Sequence, residues 1–277
     1  MKDEELKSQA DYSAGQTEAA HRVIVEIVNI LSEYRDDMLI IGGWVPDLLF
    51  PGQDHVGSID VDMLLNHLRL QNSAYENIER VLLRNGYHKH PENFFSFVKD
   101  VFVDGQKYEV DLDILAGMYG GTADDKRSQY IQGLKALKAT GGNFAFEVEA
   151  REIEIEAKRP DGALDFGKAR VISIVPYLVM KTAALGRGKP KDSYDIYFCV
   201  KNYQGGVREL VKEFEPYLEY GLIIEMKEKL QSKFASPEHA GPVDVASFFE
   251  LYDEEEIEIR KRDAFEQISA LLNLLDG

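Results

Sequence analysis

Apolar and polar positions along this chain alternate with two different periods, and the switches between them mark out its elements. From His21 to Tyr34 the apolar residues Val23, Ile24, Ile27, Ile30 and Leu31 recur at helical spacing, which predicts an amphipathic helix after a polar N-terminal stretch of about residues 1–18. Met38 to Ile41 is a short continuous apolar run, closed by Gly42-Gly43, and reads as a buried strand and turn. Trp44 to Phe50 predicts a short helix, cut by Pro51-Gly52, and Ile59 to Leu65 predicts a second strand. Tyr75 to Asn85 predicts a helix. Phe94 to Val103 and Lys107 to Leu115 predict a hairpin around Asp104-Gly105, a pair suited to the left-handed positions of a tight turn. Gly117 to Thr122 reads as a glycine-rich loop, Lys126 to Lys138 as a helix, and Phe144 to Ala157 as strands. Helices are expected at Ile174 to Leu185 and Lys191 to Lys201. From Val207 to Leu275 the pattern is largely helical, broken near Ser236-Pro237 and Gly241-Pro242. This order of elements predicts an α/β (α+β) core over residues 19–160 and a mainly helical domain over 161–277.

Charge enters this pattern in an unusual place. The second strand carries Asp60 and Asp62 between Ile59, Val61 and Met63; the hairpin strand carries Glu109, Asp111 and Asp113 between Val110, Leu112 and Ile114. On a strand, such alternation puts the acids on one face and the apolar residues on the other. The plain explanation is a strand with one wet face. The chemical explanation is a site for a hard divalent cation, which takes oxygen ligands, since same-face carboxylates on a buried strand repel without one. Two glycines after a buried strand also permit close backbone approach to a phosphate. The run is neither a Walker loop, for want of Gly-Lys-Ser/Thr, nor a dinucleotide fingerprint, for want of a third glycine.

The 277 residues, 44% hydrophobic, suffice for one large domain or two modest ones with a real core. The longest apolar stretch, Val171 to Met180, is interrupted by Pro176 and too short to span a bilayer. The N-terminus lacks the basic-then-apolar pattern of a signal peptide. The single cysteine, Cys199, excludes an intrachain disulfide and sits in an apolar run as core filler. A cytoplasmic chain with no membrane partner is the expectation. The six histidines show no metal-ligand spacing, and Trp44 reads as a core residue. The formal net charge of −17 opposes nucleic acid unless the local potential differs. Positive charge concentrates in one place, Arg187, Lys189 and Lys191, just after Lys181 on an otherwise apolar helix. Lys181 is either a snorkelling lysine or a phosphate contact. Asp192 and Asp195 lie i, i+3 on one helix face, either as an N-cap and its N3 partner or as functional acids. Tyr119, in the loop Gly117 to Gly121, is a candidate base-stacking residue, and Asp253 to Glu256 is a solvated helix start.

Gly42-Gly43, Ser58-x-Asp60-x-Asp62, a later strand acid, and Lys181, Arg187, Lys191-Asp192-x-x-Asp195 occur in that order. Over about residues 38–200 this series resembles the DNA polymerase β-like nucleotidyltransferase superfamily. More closely it resembles the AbiEii/AbiGii group, the toxin components of type IV toxin–antitoxin systems. The Gly-Gly-Trp form of the first motif is also similar to transferases that inactivate aminoglycosides and lincosamides. The resemblance implies a polymerase β-like fold whose helical C-terminal domain completes a nucleotide cleft. It implies transfer of a nucleoside monophosphate from an NTP to a hydroxyl, with two magnesium ions.

By the same resemblance, Asp60 and Asp62 are metal ligands and a third carboxylate completes the site and helps to deprotonate the acceptor. Asp113 is preferred for that place because it precedes Ile114-Leu115; Asp111 is second, and Glu109 competes. Gly42, Gly43, Ser58, Lys181, Arg187 and Lys191 are implied to bind nucleotide, and Asp195 to orient Lys181 or act with it. The implied acceptor is RNA, at a tRNA 3′ end, with an antitoxin protein as partner. A small-molecule acceptor is the first alternative, which the acidic charge suits better if the acceptor is polycationic. A catalytically inactive binding or regulatory protein of the same fold is the second.

Overall fold

A computed structural model describes residues 7–70, 78–118, 128–131 and 134–277. The expected Tyr119 site, part of the loop 117–122, and the start of the 75–85 helix lie outside the described residues. In chain order the elements are α1 (Ala14–Ile30), β1 (Met38–Ile41), α2 (Val45–Leu49), β2 (Val61–Leu65), α3 (His67–Leu70), α4 (Ile78–Arg84), β3 (His88–Lys89), β4 (Ser96–Val103), β5 (Gln106–Met118), β6 (Ser128–Ile131) and β7 (Leu134–Thr140). There follow α5 (Phe144–Glu147), β8 (Arg151–Lys158), β9 (Leu164–Val171), α6 (Ile174–Ala184), α7 (Pro190–Asn202), α8 (Val207–Phe214), α9 (Gly221–Lys233), α10 (Ala240–Phe248) and α11 (Glu254–Asp276). No helix among the described residues is long and apolar enough to cross a membrane.

The chain forms two compact units. One contains 13–49 and 57–176; the other contains 1–12, 50–56 and 177–277. This division differs from the expected 160/161 boundary because β9 belongs to the sheet: it pairs antiparallel with β8 and parallel with β1. The fold is α/β with a mixed sheet, flanking helices and a helical C-terminal region.

In the sheet unit the strand order is β3-β4-β5-β2-β1-β9-β8, with β7 pairing to both β5 and β6. β1 runs antiparallel to β2, while β2 and β5 are parallel. β1 is buried along its whole length, as its unbroken apolar run requires. α1 begins seven residues earlier than its apolar stripe suggests, capped by the Ser13 hydroxyl, which accepts from Gln16 N at 3.3 Å. Its apolar face, including Ala20, Val23, Ile24 and Ile27, is fully removed from water, each large side chain contributing roughly 1.5–3 kcal/mol of transfer free energy.

Two expected elements are corrected. The described part of 126–138 is not helical; β6 and β7 occupy it. Leu, Lys and Ala favour helix locally, but β7 finds backbone partners on both sides, in β5 and β6, and sheet pairing overrides propensity. The stretch 144–157 begins not as a strand but as α5, and only β8 is extended.

In the helical unit, every residue of α7 from Lys191 to Val200 is buried, charged ones included. Against it lies α10, where Tyr194 stacks on Phe248 with ring centroids 4.4 Å apart. α11 starts as expected from its acidic run: the Asp253 carboxylate accepts from the amides of Glu255 and Glu256 at 2.9 and 3.0 Å. Cys199 is buried in α7, and burial pushes its thiol pKa well up, so it is inert filler.

Candidate functional site

β2 and β5 bring the strand acids together. The register pairs Asp62 with Asp113 directly across the two parallel strands. Register partners on a pleated sheet share a face, so these two carboxylates stand side by side. Glu109 lies three positions before Leu112, the first β5 residue paired with β2, is exposed, and meets Lys107 at 3.3 Å. Asp113 is the one of the three acids with an acid, Asp62, as its register partner within β2; Asp111 directly precedes Leu112, the first β5 residue paired with β2, as Asp60 directly precedes Val61. Across the hairpin Asp113 faces Ser96, whose hydroxyl donates to its Oδ1 at 2.5 Å.

Asp62 is further enclosed by the glycine turn. Gly42 has φ +73°, a left-handed conformation that an L side chain resists, and a Cβ built there would lie 1.8 Å from Asp62 Oδ2. The first glycine thus makes room for the Asp62 carboxylate. Gly43 is buried in the same turn. Beyond it the chain makes a short 3-10 turn and the five-residue α2, a helix too brief to offer the long dipole expected at a phosphate site. Trp44 is a core residue, stacked on His21 at 5.4 Å.

Asp60 precedes β2 and accepts from the Ser58 hydroxyl. Ser58 is buried and Asp60 half-buried. Among the described residues, no group of three or more His, Cys, Asp or Glu side chains is arranged to hold a metal ion. The side chains present fit magnesium through the Asp62–Asp113 pair, because that ion is commonly bound by one or two carboxylates plus waters and phosphate oxygens. They do not form a ready-made cage for two ions.

The later motif residues belong to the helical unit and build a buried charge cluster. Asp195 has no solvent exposure. It receives Lys181 Nζ at 2.8 Å, Lys191 Nζ at 2.9 Å and His55 Nε2 at 3.0 Å. Lys181 Nζ also meets Asp192 Oδ1 at 2.9 Å. Burial alone would raise the Asp195 pKa, but the two ammonium groups outweigh it and hold the carboxyl well below its ordinary range. Burial alone would lower the Lys181 pKa, but Asp192 and Asp195 overcome it and raise it. Two lysines face two aspartates, a balanced set, and Lys181 is no snorkelling lysine. Asp192 is not an N-cap: Lys189 occupies that position, Pro190 opens α7, and Asp192 sits in its first turn.

His55 was not signalled by any motif. It comes from the 50–56 segment that joins the helical unit, and stacks on Tyr194 at 5.3 Å. Burial, then the charge of Lys191, depresses its pKa to about 4. It is therefore neutral at pH 7, and since a carboxylate can only accept, Nε2 carries the proton donated to Asp195. Arg187 is exposed, its Nε donating to Ala184 O at 3.2 Å and its Nη2 3.7 Å from Asp192 Oδ2. Ser96 was missed as well, although the hairpin register names it once the turn is placed at Asp104-Gly105.

No family model, no curated protein and no solved structure matches this chain.

Proposed function

We propose that this chain is a magnesium-dependent nucleotidyltransferase of the AbiEii/AbiGii type, transferring a nucleoside monophosphate from an NTP to an RNA hydroxyl at a tRNA 3′ end. The observation that carries the reading is the Asp62–Asp113 pair, set side by side by the β2–β5 register with Gly42 against it. In this reading Asp62 and Asp113 hold the cation, and Asp60 joins them once a phosphate displaces its bond from Ser58. Bound magnesium would neutralise triphosphate charge and lower the pKa of the attacking hydroxyl. Ser96 holds the Asp113 carboxylate in one orientation, and the Gly42 turn keeps Asp62 from swinging away. Lys181 and Lys191, engaged by Asp192 and Asp195, brace α6 against α7.

The second reading is a small-molecule acceptor, favoured by the net charge of −17, which attracts a polycation and repels RNA. One experiment separates the readings. The protein is incubated with each α-labelled NTP, magnesium, total RNA and a panel of aminoglycosides. Label in RNA that disappears with Asp62→Asn supports the proposal. Label in an aminoglycoside supports the second reading. Label in neither, with NTP intact, overturns transfer and leaves a binding protein. In a host, expression should arrest growth, and Asp60→Ala should relieve the arrest; equal toxicity of both forms would remove the catalytic-toxin reading.

A further inference from the structure

The helical unit gathers cations where α6 ends, and they come from segments far apart in sequence. Lys229 on α9 donates from Nζ to Ala183 O at 2.9 Å. Arg187 donates from Nε to Ala184 O at 3.2 Å. Lys233, one turn beyond Lys229, brings its Nζ to 3.6 Å from the place where a Cβ on Gly186 would stand. Three cationic side chains therefore converge on the five residues 183–187, and Lys189 follows in the same loop. The carboxylates nearby do not balance them. Asp192 is 3.7 Å from Arg187 Nη2 but already meets Lys181, and Asp244, which feels Lys233, accepts from Ser193 at 3.1 Å.

Helix capping accounts for part of this arrangement: a carbonyl at the end of α6 welcomes a cation. It uses one hydrogen of the Lys229 ammonium and the Nε of Arg187. It does not account for Lys233, which among the described residues makes no hydrogen bond or ion pair, nor for the terminal guanidinium nitrogens, whose side chain is 65% exposed. The crowding has a cost: burial, then the charges of Lys233 and Arg187, pull the Lys229 pKa below its ordinary value. A tetrahedral oxyanion would relieve that repulsion and use the donors that capping leaves over, the guanidinium as a fork and the ammonium groups as point charges.

We propose that Arg187, Lys229 and Lys233 form a binding site for a phosphate group. The phosphate can come from a free ion such as pyrophosphate or from the backbone of an RNA strand, and the site does not depend on the transferase reading above. In a chain of net charge −17 it is a local exception, which is what a polyanion needs in order to approach.

The test uses the full-length chain and two probes: pyrophosphate by calorimetry, and a labelled oligoribonucleotide by fluorescence anisotropy over a range of salt. The variant is Arg187→Gln with Lys233→Gln, which leaves the Lys229 cap in place; Lys212→Gln, on α8 beside Glu209, is the control. Binding of either probe that weakens at least tenfold in the double variant and is unchanged in Lys212→Gln supports the site. If the source is RNA, the slope of log Kd against log salt should also fall by about 1.4, from roughly 0.7 per lost phosphate contact on a single strand. Failure of both probes to bind the wild type overturns the proposal, as does binding that the double variant leaves intact. An unchanged melting curve confirms that the double variant is folded. Label transfer is scored separately, so loss of one reading does not carry the other with it.

Discussion

The neutral, buried His55 makes the stability of the helical unit depend on pH in a window set by that one side chain. Its pKa is about 4 in the folded chain against 6.5 for the free side chain. Above pH 6.5 the imidazole is neutral in both folded and unfolded states and its contribution is fully present. As pH falls from 6.5 to about 4 the unfolded chain takes up a proton that the folded chain refuses, and stability is lost. Below about 4 both states are protonated and the loss levels off. The gap between 6.5 and 4 is about 2.5 pH units, which at about 1.36 kcal/mol each amounts to about 3 kcal/mol. Full burial of the side chain justifies using the whole interval, because no solvent screens it. Asp195 titrates elsewhere: its folded pKa lies below the ordinary carboxylate range, so its contribution is lost only as pH falls below about 4.

The perturbation that isolates this term is His55→Gln, which keeps a donor for Asp195 and removes the titration. The assay is hydrogen exchange of the α7 amides between pH 7.5 and 4.5, corrected for the intrinsic pH dependence of exchange. The difference in opening free energy between wild type and His55→Gln should change by about 1.4 kcal/mol per pH unit within the window and flatten above it. His21 and His67, whose pKa values burial also lowers, are common to both proteins and cancel. Parallel curves for the two proteins across this range would refute a neutral buried His55.

Three further outcomes are expected. Gly42→Ala should cost about 1–2 kcal/mol from its left-handed backbone alone and more from the clash with Asp62. Gly52→Ala has the same strain (φ +79°) and open space around it, so a melting comparison should show Gly42→Ala lower by several degrees; equal melting points would remove the enclosure of Asp62. Asp195→Asn should destabilise the chain by about 3–5 kcal/mol in urea unfolding, because Lys181 and Lys191 would stay buried without their shared carboxylate. Asp113→Asn should reduce label transfer at least a hundredfold and Glu109→Gln should leave it unchanged; a reversed order would show that the β2–β5 register does not select the third carboxylate.

The sheet part of the fold was legible where pattern and turn chemistry agreed. Asp104 and Gly105 both have positive φ, 50° and 83°, as a two-residue hairpin turn requires, and Val103 faces Gln106 across it. From that one pairing the register follows residue by residue, and Ser96 falls opposite Asp113. The β2–β5 pairing was not legible in the same way. No short turn joins those strands, so nothing local fixes which acid of 109, 111 and 113 meets which of 60 and 62. The helix expected at 126–138 failed for a related reason: β7 is extended because β5 and β6 hold it, and no residue within the segment records those partners.

The helical unit shows the opposite relation between sequence and site. Lys181, Lys191, Asp192 and Asp195 were visible as an out-of-place set of charges, yet their spacing could not say whether the lysines reach outward or bond inward. Burial decides it. Lys191 and Asp195 are both under a tenth exposed, and a lone ammonium there would be driven to lose its proton. Each faces an opposite charge: Lys191 the Asp195 carboxylate, and Asp195 the ammonium groups of Lys181 and Lys191. The cluster therefore stands or falls as a unit, and His55 completes it with a hydrogen bond that adds no charge. The cations left over for a ligand are Lys233 and the exposed Arg187, which meets the cluster only through Nη2, 3.7 Å from Asp192 Oδ2.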